Sequence, residues 1–584
     1  MASIEILGTL AAGVVSYWGF FHQGEHTLYA TRYLQLFGLT VLTGAIFQTQ
    51  QANITFSQAL LYTLRLGIIY LSGVYSNCVI YRLFLNPLNK FPGPYWARLS
   101  KFDHVFRNVK LDGHLVLLRL HEKYGKYVRI GPNDLSVIDA DGTQVISAPN
   151  SKCTKGPWYA NDTPLISLHT TRDRAAHDRR RRIWAPAFSD KALRGYENRV
   201  QTINDMLISK LKETNGRVIT EILPICTDKY SGKSVDASNL LNLYSFDVMG
   251  DLAFGRSFNM VESGKVHWAI KLLNAGMDPL GFSFPSWFFR LVAAIPGASK
   301  GYWDFVGFCT KQLEDRIAVH GKTDPDKPDI TQTLIEHYNK SSDKKELWPM
   351  MCGDSRLIIV AGSDTTAATL TYLFYHIASK PEWQEKLREE IHGVKQKHMN
   401  EKEGTVILDQ WLKDEDQAPI LNGMINETLR LNPPVPSGVF RKTPSEGVNI
   451  GTTFIPGDTV IQMPQYVMSR CKFTKLLAGP CHFANMFAAE DNYAKANEFV
   501  PDRWREGSTL IKHKDAFAPF STGPFGCIGK NLAYMEVRTI TVQLVDQFDI
   551  SLAPGEDGKK LLMKSTDHFT LGLAELNLIF KRRD

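Results

Sequence analysis

Paired cysteines are missing from this chain. Its eight cysteines, Cys78, Cys153, Cys226, Cys309, Cys352, Cys471, Cys481 and Cys527, are scattered over 584 residues without CxxC spacing. That scatter argues against a disulfide framework and a structural zinc site, and fits a reducing compartment for the main body. There is no internal repeat, no segment polar enough to demand disorder and no flavin or nicotinamide fingerprint. Charge of one sign is also scarce. The net value is +7, and the only dense basic run, Arg179 to Arg182, lies inside a helical pattern. A nucleic-acid binder would gather such an excess in a stripe or tail, so no nucleic-acid partner is expected. A positively charged start with a small-residue cleavage site is lacking, so a removed signal peptide is not expected.

What remains is ordinary for a globular protein, 44% hydrophobic and 22% charged, and long enough for one large domain plus an anchor. Residues 6–21 and 33–47 are almost free of charge, and a third apolar run covers 66–85. The third is long enough to span a bilayer, while the first two need flanking residues to reach about 20. One span with two buried or interfacial helices and three spans both fit these lengths. Charge placement favours three. Arg32 follows the first run, the second connection holds the sequon Asn53-Ile54-Thr55 and no Lys or Arg, and Arg82, Lys90 and Arg98 follow the third. The positive-inside rule then puts Asn53 in the lumen, where it would be glycosylated, and the body in the cytosol. The expected organisation is a membrane anchor over 1–85, a proline-rich hinge over 86–100 and a main body over 101–584. Three prolines between Pro87 and Pro94 make the hinge a stiff elbow.

Helical periods dominate 180–215, 240–320, 350–395, 416–431 and 529–547, and β patterns occupy 127–139 and 447–463. The fold class is therefore mainly α with a minor β-sheet region.

The most informative stretch runs from Phe520 to Ala533, with Gly523, Gly526 and Gly529 crowding Cys527 ahead of a helical pattern. Glycines allow tight turns and close approach of backbone to a flat ligand. Loop N–H groups and the helix N-terminus favour a thiolate, and a thiolate is a strong axial ligand for haem iron. A second motif, Ala361-Gly362-Ser363-Asp364-Thr365-Thr366, sets small and polar residues inside an apolar helix. Ala361 and Gly362 leave room for dioxygen, and Asp364 and Thr365 could relay protons to it. A hydrogen-bonded kink is the plainer alternative. Glu427 and Arg430 share a helix face and can pair.

The spacing FxxGxxxCxG, with these motifs in this order, resembles the cytochrome P450 superfamily. The resemblance implies the family fold behind N-terminal transmembrane helices, with Cys527 as the axial ligand of haem b and Phe520 shielding its sulfur. It implies propionate contacts from His177, Arg181 and Arg441, oxygen activation at residues 361–366, and a structural network of Glu427, Arg430 and Arg503. The family pattern asks for a basic residue two before the cysteine; this chain has Phe525 there. The implied function is haem-thiolate monooxygenation of an apolar small molecule with dioxygen. Electrons would come from NADPH through a separate flavoprotein reductase, with cytochrome b5 as an optional second donor. The implied place is the endoplasmic reticulum membrane, in contact with lipid and with the catalytic domain cytosolic. Lys512, Lys514, Lys530 and Arg538 could dock the acidic face of the reductase. Two rival readings are a reductase-independent isomerase or dehydratase on the same fold and an inactive haem-binding paralogue. The N-terminal segments and Lys155-Gly-Pro-Trp-Tyr159 resemble a fungal subgroup that includes tryprostatin and benzoate-type hydroxylases, which suggests an aromatic or indole-like secondary metabolite. Candidate substrate contacts lie in 153–170, in 240–290 and before Ala361.

Residues 471–489 depart from the family. Excising them joins Arg470 to Glu490 in an ordinary family sequence, and Cys471-Lys-Phe can be encoded with a 5′ splice signal. A retained intron and a genuine insertion are the two readings.

Overall fold

The computed structural model describes residues 2–214, 234–320, 329–398, 408–470 and 492–583; the 471–489 segment lies outside them. The three N-terminal apolar runs form α1 (Ala2–Ser16), α2 (Ala30–Ala52) and α3 (Phe56–Ile80). Thr55 starts α3 with a capping box: its hydroxyl accepts the Gln58 N–H while the Gln58 side chain accepts the Thr55 N–H. Glycines bring the three helices together. A Cβ on Gly13 would strike the Tyr70 carbonyl and one on Gly73 the Leu10 carbonyl, so α1 and α3 cross where neither has a side chain. Gly44 meets Thr63 and Gly67 meets Phe37, which seats α2 on α3. Lipid gives apolar side chains no reason to associate, so close backbone contact through small residues is how membrane helices bind one another. The outer faces expose Ile4, Leu7, Leu36, Leu39, Leu61 and Ile68. Ser3–Phe21 and Phe56–Lys90 are long and apolar enough to cross a membrane. Helix α2 has the length, about 34 Å at 1.5 Å per residue, but is less apolar. The helix Lys344–Ser379 also qualifies by composition, yet it is the buried core helix of the body.

The elbow is fastened to the body. Asn86 caps its own short 3₁₀ turn by accepting from Leu88 N (2.8 Å) and donates to the Pro132 carbonyl (3.2 Å). Arg129 reaches Asn89 at 2.5 Å. A second fastening lies in the loop between α1 and α2, where Glu25 forms a two-pronged pair with Arg172 (2.6 and 2.8 Å) and lies 3.6 Å from Lys442.

The body is helical around a small mixed sheet. β1 (Tyr127–Arg129) and β2 (Asp134–Val137) are the two runs on either side of the Gly-Pro turn. β3 (Thr154–Lys155) and β4 (Val235–Asp236) follow, then β5 (Phe440–Lys442), β6 (Val448–Ile450), β7 (Thr453–Ile455) and β8 (Val460–Gln462). The main sheet has the order β1-β2-β8-β5-β3. β9 (Phe548–Leu552) and β12 (Asn577–Arg582) make a three-stranded sheet with β4, while β10 (Thr566–His568) and β11 (Thr570–Gly572) form a hairpin. The expected 240–320 helical run is broken by left-handed glycines at Gly255 and Gly264, which end the helices Ala237–Phe254 and Met260–Ser263.

Glu427 is fully buried with Arg430 and Arg503. Arg430 binds both carboxylate oxygens at 2.8 Å, Arg503 approaches both at 3.2 Å, and Val500 N and Trp504 Nε1 donate at 3.0 Å. Arg430 also reaches the carbonyls of Ser469, Ala496 and Glu498, which fastens both flanks of the 471–489 segment. The two arginines hold the Glu427 carboxyl below its usual range despite its burial. Replacing Glu427 by Ala strands two buried guanidinium groups, a loss of about 3–5 kcal/mol. We expect Glu427→Ala to abolish the folded, protease-resistant body in limited proteolysis; resistance equal to that of the parent would show the network to be dispensable.

Candidate functional site

A cavity of about 370 Å³ lies between the core helix Lys344–Ser379 and the cysteine loop. Its floor is the loop. Gly523 adopts φ +64°, and a Cβ there would overlap the Ser147 carbonyl, so this position admits only glycine. Gly526 N donates to Gly523 O (3.0 Å) and Cys527 N to Phe520 O (2.8 Å). Gly529, where a Cβ would find only ordinary contacts, leads into the helix Lys530–Gln547. Cys527 is exposed, its side chain opening onto the cavity. Desolvation pushes its thiol up, and that outweighs the downward pull of the Gly529 N–H, Arg181 and Lys530. The loop N–H and the two cations pull toward the thiolate, as the sequence suggests, while desolvation opposes them. Phe520 packs on Tyr534 at 5.3 Å, and Tyr534 is fixed by Asn426 (2.6 Å).

The core helix forms the opposite wall with Ala361, Gly362, Thr365 and Thr366. Ala361 is open to the cavity. Gly362 serves a second purpose, since a Cβ there would strike the Met249 sulfur; the missing side chain seats the helix Ala237–Phe254. Thr365 Oγ1 donates to Ala361 O (2.7 Å), the back-bonding that bends helices. Asp364 interacts with Thr570, and burial raises its carboxyl to about 7.

The third wall is cationic. Lys155, His177, Arg181 and Arg441 line the cavity, and no carboxylate pairs with Lys155, Arg181 or Arg441 among the described residues. Arg181 donates to Gly526 O (2.7 Å). His177 lies 3.1 Å from Asp178, and burial together with Lys155 lowers its imidazole to about 4. Arg441 is 1% exposed, and its Nε has no partner. Phe525 sits among these groups, its ring 4.6 Å from that of His177.

Three lining groups that bear on the site were not singled out as site residues in the sequence. Lys155 was noted only as part of a subgroup stretch. Glu536 is 1% exposed, lines the cavity, and is pushed up to about 8 by burial; its signal was a lone acid on the apolar face of the helix after Cys527. Phe569 stacks on Trp158 at 4.8 Å from the tip of the β10–β11 hairpin, where it holds φ +85°. No sequence pattern announces a phenylalanine in that conformation. Of the four proposed docking cations, Lys512, Lys514 and Lys530 are exposed. Arg538 is not available: it is held by Asn422 (2.8 Å) and Asp409 (3.2 Å) with only 12% of its side chain exposed.

A family model described as Cytochrome P450 matches residues 92–473 and 484–580, and the break falls inside the 471–489 segment. Similar proteins include the cytochrome P450 monooxygenase lcsK of Purpureocillium lilacinum, 42% identical over 100% of this chain and 98% of that protein. Tryprostatin B 6-hydroxylase of Aspergillus fumigatus is 36% identical over 100% of this chain and 98% of its own. The cytochrome P450 monooxygenase notG' of Aspergillus versicolor is 37% identical over 98% and 97%.

The raised carboxyl of Glu536 gives a pH test. The folded state keeps a proton that the unfolded chain releases above about 4.5, so Glu536 costs increasing stability as pH rises toward 8. Glu536→Gln removes that cost. The melting temperature of the variant minus that of the parent is expected to rise from pH 5 to pH 8; a constant difference would contradict the assignment.

Proposed function

Because the chain belongs to the cytochrome P450 family, we propose that it is a membrane-anchored monooxygenase that binds haem b through Cys527 and oxidises an apolar small molecule. The observation that carries this reading is the cavity itself: one thiol on its floor, the back-bonded Thr365 turn above it, and buried cations at its side. No cluster of three His, Cys, Asp or Glu side chains that could hold a metal occurs among the described residues, so iron on Cys527 needs its other ligands from a macrocycle. The unpartnered Arg441 Nε and the unpaired ammonium of Lys155 fit a ligand with carboxylates.

Haem so held supplies activation of dioxygen, one atom going to the substrate and the other to water. The protein's part is positioning and proton supply. Asp364, poised near neutrality, can give up and regain a proton at its carboxylate oxygen. Thr365 lines the cavity with its hydroxyl hydrogen engaged by Ala361 O, which leaves its oxygen free to accept a hydrogen bond from a group in the cavity. Phe520 keeps water from the sulfur side. Trp158, His169 and Phe569 give the substrate end flat aromatic walls, with Met277, Leu280 and Leu357 beside them. Such walls suit an aromatic, indole-like substrate. Electrons come from an NADPH-dependent reductase docked near Lys512, Lys514 and Lys530, with cytochrome b5 as an optional second donor.

The anchor spans the membrane three times. Glu25 pairs with Arg172 and lies near Lys442, which supports an α1–α2 loop on the body's side of the membrane. The α2–α3 turn with Asn53 then lies on the other side, in the endoplasmic reticulum lumen, and the body in the cytosol.

The reduced carbon monoxide difference spectrum of the full chain in membranes tests the chemistry. The expected result is the strongly red-shifted thiolate band, lost in Cys527→Ser; a folded parent without that band contradicts the reading. The topology has its own test. Endoglycosidase should shift the parent's gel mobility and leave Asn53→Gln unchanged, and an insensitive parent contradicts three spans.

A further inference from the structure

β3 and β5 pair antiparallel with Lys155 directly opposite Arg441. Residues opposite each other in such a ladder project to the same face, and both line the cavity. Lys155 is 4% exposed and Arg441 1%. Two like charges facing each other at this depth are mutually destabilising, and no acidic side chain pairs with either among the described residues. Lys155 Nζ donates only to the carbonyls of Leu168 (2.9 Å) and His169 (2.7 Å), leaving one of its three hydrogens unused. Its ammonium lies 5.0 Å from the centre of the Phe525 ring, with the Arg441 guanidinium at 5.1 Å and that of Arg174 at 5.5 Å.

Resting on the haem reading above, we propose that Lys155 binds a haem carboxylate and supplies the charge that Phe525 does not. The ladder brings Lys155 to the side of residue 525. A basic residue at 525 would put one more cation among Lys155, Arg174, Arg181 and Arg441, whereas a phenylalanine offers the surrounding cations a ring face. Charge at 155 and charge at 525 are therefore alternatives. Burial, Arg441 and Arg181 together push the Lys155 ammonium well down; a carboxylate between the strands reverses that pressure. The backbone of Lys155 is held from outside the cavity. Arg172 Nε donates to Lys155 O (3.1 Å), and Arg172 is itself held by Glu25 of the anchor loop.

The test uses the full chain in membranes as Lys155→Met, Lys155→Arg, Phe525→Arg and the double variant Lys155→Met with Phe525→Arg. The readouts are haem per polypeptide and the rate of haem loss to excess apomyoglobin. Loss of one charged hydrogen bond predicts roughly ten- to hundredfold faster haem loss from Lys155→Met. Lys155→Arg should stay near the parent, Phe525→Arg alone should not slow the loss, and the double variant should regain most of what Lys155→Met lost. Parent-like retention in Lys155→Met overturns the inference. So does a double variant no better than Lys155→Met, because Lys155 would then act only by tethering the Leu168 and His169 carbonyls. A parent without thiolate-ligated haem would overturn the functional reading as well, whereas a haem-loaded parent matched by Lys155→Met overturns this inference alone.

Discussion

Lys155 and Arg441 face each other across a buried ladder, and no carboxylate among the described residues pairs with either. In an apolar wall that arrangement needs an anion, and the rest of the cavity is organised around the same need. Arg181 bridges from the basic helix to the Gly526 carbonyl and so ties the cationic wall to the cysteine loop. Cys527, its thiol pushed up by desolvation, adds a second unsatisfied group on the floor of the same space. A single ligand with a soft-ligand-binding metal and a carboxylate edge meets both. The protein stores these two frustrations at one place and holds them there with structure that is satisfied elsewhere, chiefly the Glu427 network.

Much of this was legible in the sequence where the information is local. The glycine spacing around Cys527, the Glu427–Arg430 step of three and the alternation on both sides of the Gly-Pro turn are short-range patterns, and each became the expected element. What was not legible depends on partners far away in the chain. Nothing near Lys155 shows that Arg441, hundreds of residues later, lies opposite it. Nothing near Arg538 shows that Asp409 and Asn422 take it off the surface. The thiol of Cys527 illustrates a competition: the nearby cations and loop N–H were visible in the sequence, but the desolvation that opposes them was not. Gly362 shows the same limit, since its missing side chain also makes room for Met249 on another helix.

The anchor belongs to the same physical account. Its helices meet through Gly13, Gly73, Gly44 and Gly67, as suits a solvent in which only close contact holds helices together. Through Glu25 and Arg172 it then reaches the backbone of Lys155. The N-terminal helical segment thus helps to fix one edge of the cavity.

The most direct measurement is an experimental structure of the haem-loaded full chain. The account predicts Cys527 Sγ on the iron and one haem carboxylate accepting from both Lys155 Nζ and Arg441 at hydrogen-bond distance, about 2.7–3.2 Å. A structure in which Lys155 keeps only the Leu168 and His169 carbonyls, with both haem carboxylates bound elsewhere, would contradict it.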